Sequence, residues 1–88
     1  MFAFTQFGLP AFANAQWIIL AEGNATSTVA EYVVLNEARA RLWNNARNQC
    51  RQQGYEQEPS LVEGSGQCQA WYQNRIWRAH CYANFDCE

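Results

Sequence analysis

The chain has 88 residues, room for one hydrophobic core, because two half-length domains would each fall below the size at which burial alone sustains folding. Six arginines and no lysine stand against eight aspartates and glutamates, a net charge of -2 that excludes the basic field of a general nucleic-acid binder. Hydrophobic residues at 49% and charged residues at only 16% exclude a disordered chain and fit a compact domain rich in uncharged polar groups.

No charge occurs before Glu22. Residues 1–15 end in Ala13-Asn14-Ala15, a small-x-small pattern after which signal peptidase would leave Gln16 first. The competing reading keeps Phe2, Phe4, Phe7 and Phe12 as an apolar arm that docks on a partner, since a monomer exposing them would carry an aggregation-prone patch. Pro10, Asn14 and Gln16 interrupt the apolar run, so no transmembrane helix is expected there. The domain proper is then residues 16–88.

Trp17-Ile18-Ile19-Leu20-Ala21 reads as a strand buried on both faces and stopped by the turn formers Glu22-Gly23-Asn24. A capping box, Thr28-Val29-Ala30-Glu31, opens a stretch without Gly or Pro that lasts until Gly54, which is placed for a helix C-cap. Leu35, Ala38, Leu42, Ala46 and Cys50 fall on one stripe of that helix, and Arg41, Asn44, Asn48 and Arg51 fall on its far side. A second reading pairs Tyr32-Val33-Val34-Leu35 with the first strand and starts a shorter helix after Asn36. Tyr55 to Gly66 is a loop with a short strand at Ser60-Leu61-Val62-Glu63.

From Trp77 to Cys87 the chain alternates without a break, apolar at odd positions and polar at even ones, the pattern of a long half-buried strand. If Asn74-Arg75 is a two-residue turn, Tyr72 faces Trp77, Ala70 faces Ala79 and Cys68 faces Cys81. The fold class expected is α+β, one amphipathic helix packed on a small antiparallel sheet in the order β-α-β-β or β-α-β-β-β.

Cys50, Cys68, Cys81 and Cys87 are separated by 17, 12 and 5 residues, gaps unlike those of a structural zinc site or a redox Cys-x-x-Cys. Two disulfides, and with them an oxidising compartment, are the plain reading. The hairpin register favours Cys68–Cys81, which leaves Cys50 with Cys87; Cys50–Cys81 with Cys68–Cys87 stays open. The order of a strand, a helix ending in Cys50, Gly54-Tyr55 and a cysteine-bearing hairpin ending Cys87-Glu88 resembles small cysteine-stapled envelope proteins of Gram-negative bacteria, with the outer-membrane stress-sensor lipoproteins as loose relatives. The resemblance is one of layout, covers Thr28 to Glu88 and transfers no functional residue. It implies the periplasm or cell surface among oxidising compartments, and with the disulfides the location expected is periplasmic or extracellular.

The chain contains no glycine-rich phosphate loop, no His-Glu-x-x-His and no Gly-x-Ser-x-Gly, and its single histidine, His80, reads as a packing residue on a strand. No catalytic residue, cofactor or metal is expected, and Asn24-Ala25-Thr26 is read as a chance match to a glycosylation triplet. The one surface with the composition of a recognition site is the outward face of the hairpin, where Trp71 lies opposite Arg78 and shares the face with His80 and Tyr82. The reading is an exported, non-catalytic protein-binding module. The alternative is an accessory subunit of a larger assembly or filament docked through its apolar N-terminal segment, with self-association as a further arrangement.

Overall fold

The computed structural model describes residues 17–88. Strand β1 (Trp17–Ser27), helix α1 (Glu31–Gln52) and strands β2 (Ser60–Leu61), β3 (Gln67–Gln73) and β4 (Ile76–Cys87) form an antiparallel sheet with the helix on one face. The class is α+β in the order β-α-β-β-β. β4 is the central strand: β1 runs along one side of it, from Trp17 opposite Cys87 to Ser27 opposite Trp77, and β3 followed by β2 lines the other. Residues 1–15, including Phe2, Phe4, Phe7 and Phe12, lie outside the described residues.

β1 is longer than the sequence suggests and is buried on one face only. Ala21, Gly23 and Ala25 are buried, whereas Ile18 and Leu20 are 50% and 56% exposed on the other side. Gly23 is not a turn residue. A Cβ built on it would stand 2.3 Å from the Ala38 carbonyl oxygen and 2.4 Å from the Leu42 nitrogen, so the strand continues through a position where the helix backbone leaves no space for a side chain. The inner face is correspondingly small-residued, with Ala79 and Ala83 from β4 meeting Ala38 and Ala46 of the helix. Bulk is supplied at one end, where Trp43 packs edge-on against the fully buried Phe85 with ring centroids 4.8 Å apart.

The long helix forms, and Tyr32 to Leu35 are its first turns, not a strand. It begins at Glu31 with Ala30 as N-cap and no capping side chain, so the box expected at Thr28 does not form; Ser27 Oγ instead accepts the Val29 N–H. Its buried stripe is Val34, Ala38, Leu42, Ala46 and Cys50, with Leu35 only half-buried beside it. At the other end Gly54, at φ 93°, closes a Schellman motif: Tyr55 N–H donates to Cys50 O and Gly54 N–H to Arg51 O. Arg47 pairs with Glu58 at 2.8 Å across the following loop and holds its carboxyl below the usual range.

The hairpin register is the expected one. Asn74 and Arg75 both have positive φ, as a two-residue type I′ turn requires, and Tyr72 faces Trp77 while Ala70 faces Ala79. Trp77 is half-buried at the sheet end, its ring tilted against Tyr72 with centroids 5.1 Å apart, and so is less of a core residue than its alternation implies. β2 is shorter than the four residues expected. Val62 still donates to Asn84 O, and at the break between β2 and β3 the Ser65 hydroxyl accepts the Asn84 N–H, so the central strand keeps its partners.

All four cysteines are bonded, Cys68 to Cys81 and Cys50 to Cys87. The first joins directly opposed residues of a non-hydrogen-bonded pair, where antiparallel strands come closest. The second ties the end of α1 to the last residue of β4.

Two stability predictions follow from this packing. Gly23→Ala should lower stability by about 1–3 kcal/mol or more by forcing helix and strand apart, whereas Gly66→Ala, whose added Cβ meets only ordinary contacts at 3.7 Å and beyond, should leave it nearly unchanged. Equal melting midpoints for the two variants would contradict the close seat of the helix. The disulfides join residues 37 and 13 positions apart, and loop entropy assigns them about 4 and about 3 kcal/mol. Denaturant unfolding of the paired variants Cys50→Ala with Cys87→Ala, and Cys68→Ala with Cys81→Ala, should show the larger loss for the first.

Candidate recognition surface

The helix covers one face of the sheet, and no described element covers the opposite face. Side chains of a strand alternate between faces, so the inward odd positions of β4 leave Arg78, His80, Tyr82, Asn84 and Asp86 pointing outward. Partner strands place their own outward residues beside them. Thr26, Arg78 and Trp71 form one row, Asn24, His80 and Gln69 the next, and Glu22, Tyr82 and Gln67 the third; Ile18, Asp86 and Ser60 close the far end. Trp71, Arg78, His80 and Tyr82, the four residues expected to share a surface, are therefore on one face.

The middle of this face is internally bonded. His80 and Tyr82 have ring centroids 5.7 Å apart, the Tyr82 hydroxyl donates to the Gln67 side-chain carbonyl, and His80 Nε2 lies 3.6 Å from Glu22 Oε1, an ion pair when the imidazole is protonated. His80 thus spends its contacts on neighbours of the sheet.

The Trp71 end differs. Trp71 is 42% exposed and, with Asn24, Thr26 and Arg78, lines a shallow cleft of about 210 Å³. Arg41 of the helix also lines it. Its guanidinium reaches the edge of β1 and donates to Asn24 O at 2.8 Å. The amphipathic pattern assigned Arg41 only to the far side of α1; nothing in the spacing signals a contact across 17 residues of chain. Among the described residues, neither Arg41 nor Arg78 pairs with a carboxylate, and no stack of the Arg78 guanidinium on Trp71 is formed. Two unpaired guanidinium groups beside an exposed indole can hold a carboxylate in charge-assisted hydrogen bonds while the ring covers apolar atoms next to it.

At the opposite end the half-buried Asp86 carries the one solvent-shielded side-chain polar atom without a partner among the described residues: its Oδ1 accepts no hydrogen bond. Among the same residues no three of His, Cys, Asp and Glu gather as metal ligands do, and no helix is long and apolar enough to cross a membrane.

Comparison of the chain with protein families, with curated proteins and with solved structures finds no match.

The unpaired acceptor predicts a measurable gain on its removal. Asp86→Thr keeps a strand-favouring side chain and deletes the shielded carboxylate, and should raise unfolding free energy by about 1 kcal/mol in denaturant titrations. A loss of stability would show that the carboxylate has a partner in solution.

Proposed function

We propose that this protein is an exported, non-catalytic binding module that recognises a protein partner through the helix-free face of its sheet. The observation that carries the reading is the meeting of Trp71, Arg78 and Arg41 at one cleft, with both guanidinium groups free of the chain's own carboxylates. Tryptophan and arginine are the residue types most enriched where interface energy concentrates, and a desolvated carboxylate of the partner is the complement of this pair. Export is supported by the two disulfides, which persist in oxidising compartments such as the periplasm or the extracellular space.

A photo-crosslinking residue at Gln69, on the same face and beside the cleft row, should form an adduct with the partner in envelope fractions of the native host. Trp71→Ala or Arg78→Ala should remove about 1–2 kcal/mol of partner affinity, roughly tenfold, and abolish the adduct with the melting midpoint nearly unchanged. An adduct that survives both substitutions but disappears when residues 1–15 are deleted would replace this reading with docking through the apolar segment.

A further inference from the structure

The ladder fixes which main-chain groups of β1 point away from β4. A two-residue turn at Asn74-Arg75 makes Gln73 and Ile76 a hydrogen-bonded pair, so the even-numbered residues of β4 turn their backbone groups toward β3. Val62, donating to Asn84 O on that same side, agrees. The odd-numbered residues of β4 therefore bond β1, and the even-numbered residues of β1, from Ile18 to Thr26, turn their N–H and C=O groups to the edge that no other described strand pairs.

Two of those carbonyls are taken by the helix: Asn45 Nδ2 donates to Glu22 O at 2.6 Å and Arg41 to Asn24 O. Such contacts blunt an edge strand against unwanted pairing. At Ile18 and Leu20 no described residue takes the edge groups. Alongside runs a trough of about 450 Å³ whose helical wall is Asn45, Asn48, Gln49 and Gln52. These four carboxamides stand at i, i+3, i+4 and i+7, one stripe of α1. Among the described residues the side chains of Asn48, Gln49 and Gln52 make no hydrogen bond.

We propose that this trough accepts an extended, uncharged segment of a partner polypeptide as an added strand on β1. The occupant follows from complementarity. One wall offers the N–H and C=O groups of Leu20, with those of Ile18 continuing the same edge beyond the trough, and the other offers carboxamides that each carry a donor and an acceptor. An extended main chain presents paired donors and acceptors along both of its edges. Glu22 also borders the trough, but its carboxylate is directed at His80 on the outer face, so the walls call for no charge on the segment. The stripe from Asn45 to Gln52 is about 10 Å long, which matches roughly three strand residues. Side chains beside Ile18 and Leu20 are apolar or β-branched, and those turned to the helix are small. Recognition runs through the backbone and tolerates sequence. Leu20 lies about 13 Å along β1 from Asn24 of the Trp71 cleft, and the trough and the cleft share no lining residue, so substitutions test them separately.

The test titrates the oxidised, ¹⁵N-labelled protein with the end-blocked pentapeptide acetyl-Val-Thr-Val-Thr-Val-amide. Chemical-shift changes and slowed amide exchange are expected at Ile18 and Leu20, with shifts of the Asn48, Gln49 and Gln52 side-chain amides. The same peptide N-methylated at alternate residues should bind at least tenfold more weakly. Leu20→Pro removes an edge N–H that β4 does not use, so it should weaken binding at least fivefold while the fold persists. Gln49→Ala with Gln52→Ala should do the same without touching the strand, and Trp71→Ala should leave the titration unchanged. Absence of shifts at Ile18 and Leu20, equal binding of the methylated peptide, or loss of the titration in Trp71→Ala would overturn the proposal. Edge shifts that follow protein concentration in place of peptide concentration would assign the edge to a second copy and overturn it as well.

Discussion

At Gly23 the backbone of β1 meets the backbone of α1 with nothing between them. The Ala38 carbonyl and the Leu42 N–H, joined as i and i+4 of the helix, lie where a Cβ of residue 23 would stand. That approach sets the spacing between helix and sheet, and the alanines that surround it are what such a spacing admits. A core built this way buries little volume per residue. The larger pair Trp43 and Phe85 is grouped away from that approach, toward one end of the sheet.

The two disulfides work on this thin core from its periphery. Cys50–Cys87 fastens the end of α1 to the end of the central strand, and Cys68–Cys81 fastens that strand to its hairpin partner. Each restricts the unfolded chain, which matters most when burial alone is marginal for the chain length. Reducing conditions would remove both restraints together.

A single helix covers only one face of a sheet, and the consequence is a molecule with two chemically different sides. The inner side is alanine, cysteine and phenylalanine; the outer side is a grid of polar and aromatic residues whose middle is self-bonded and whose Trp71 end is not. Among the described strands the same geometry leaves β1 as an edge. Arg41 and Asn45 guard part of that edge, and Arg41 also carries its charge into the Trp71 cleft, so one helical residue serves both the edge and the face.

The local pattern of the sequence determined the hairpin and the helix. An eleven-residue alternation, a two-residue turn and a four-residue spacing of small apolar residues each encode one element through its own period, and together they carried the Cys68–Cys81 and Cys50–Cys87 pairing and the shared face of Trp71, Arg78, His80 and Tyr82. What involved two distant segments was decided by tertiary structure. Gly23 reads as a turn former because a glycine is locally permissive, and only the helix seated upon it shows that the missing side chain is a matter of space. Thr28 has the spacing of a cap, but the exit of β1 at Ser27 delays the helix to Glu31. Arg41 is a far-side residue by helical phase, and only the placement of β1 beneath α1 brings its guanidinium to Asn24 and to Trp71. Periodicity reports which way a side chain points along its own element; which element stands opposite is fixed by packing.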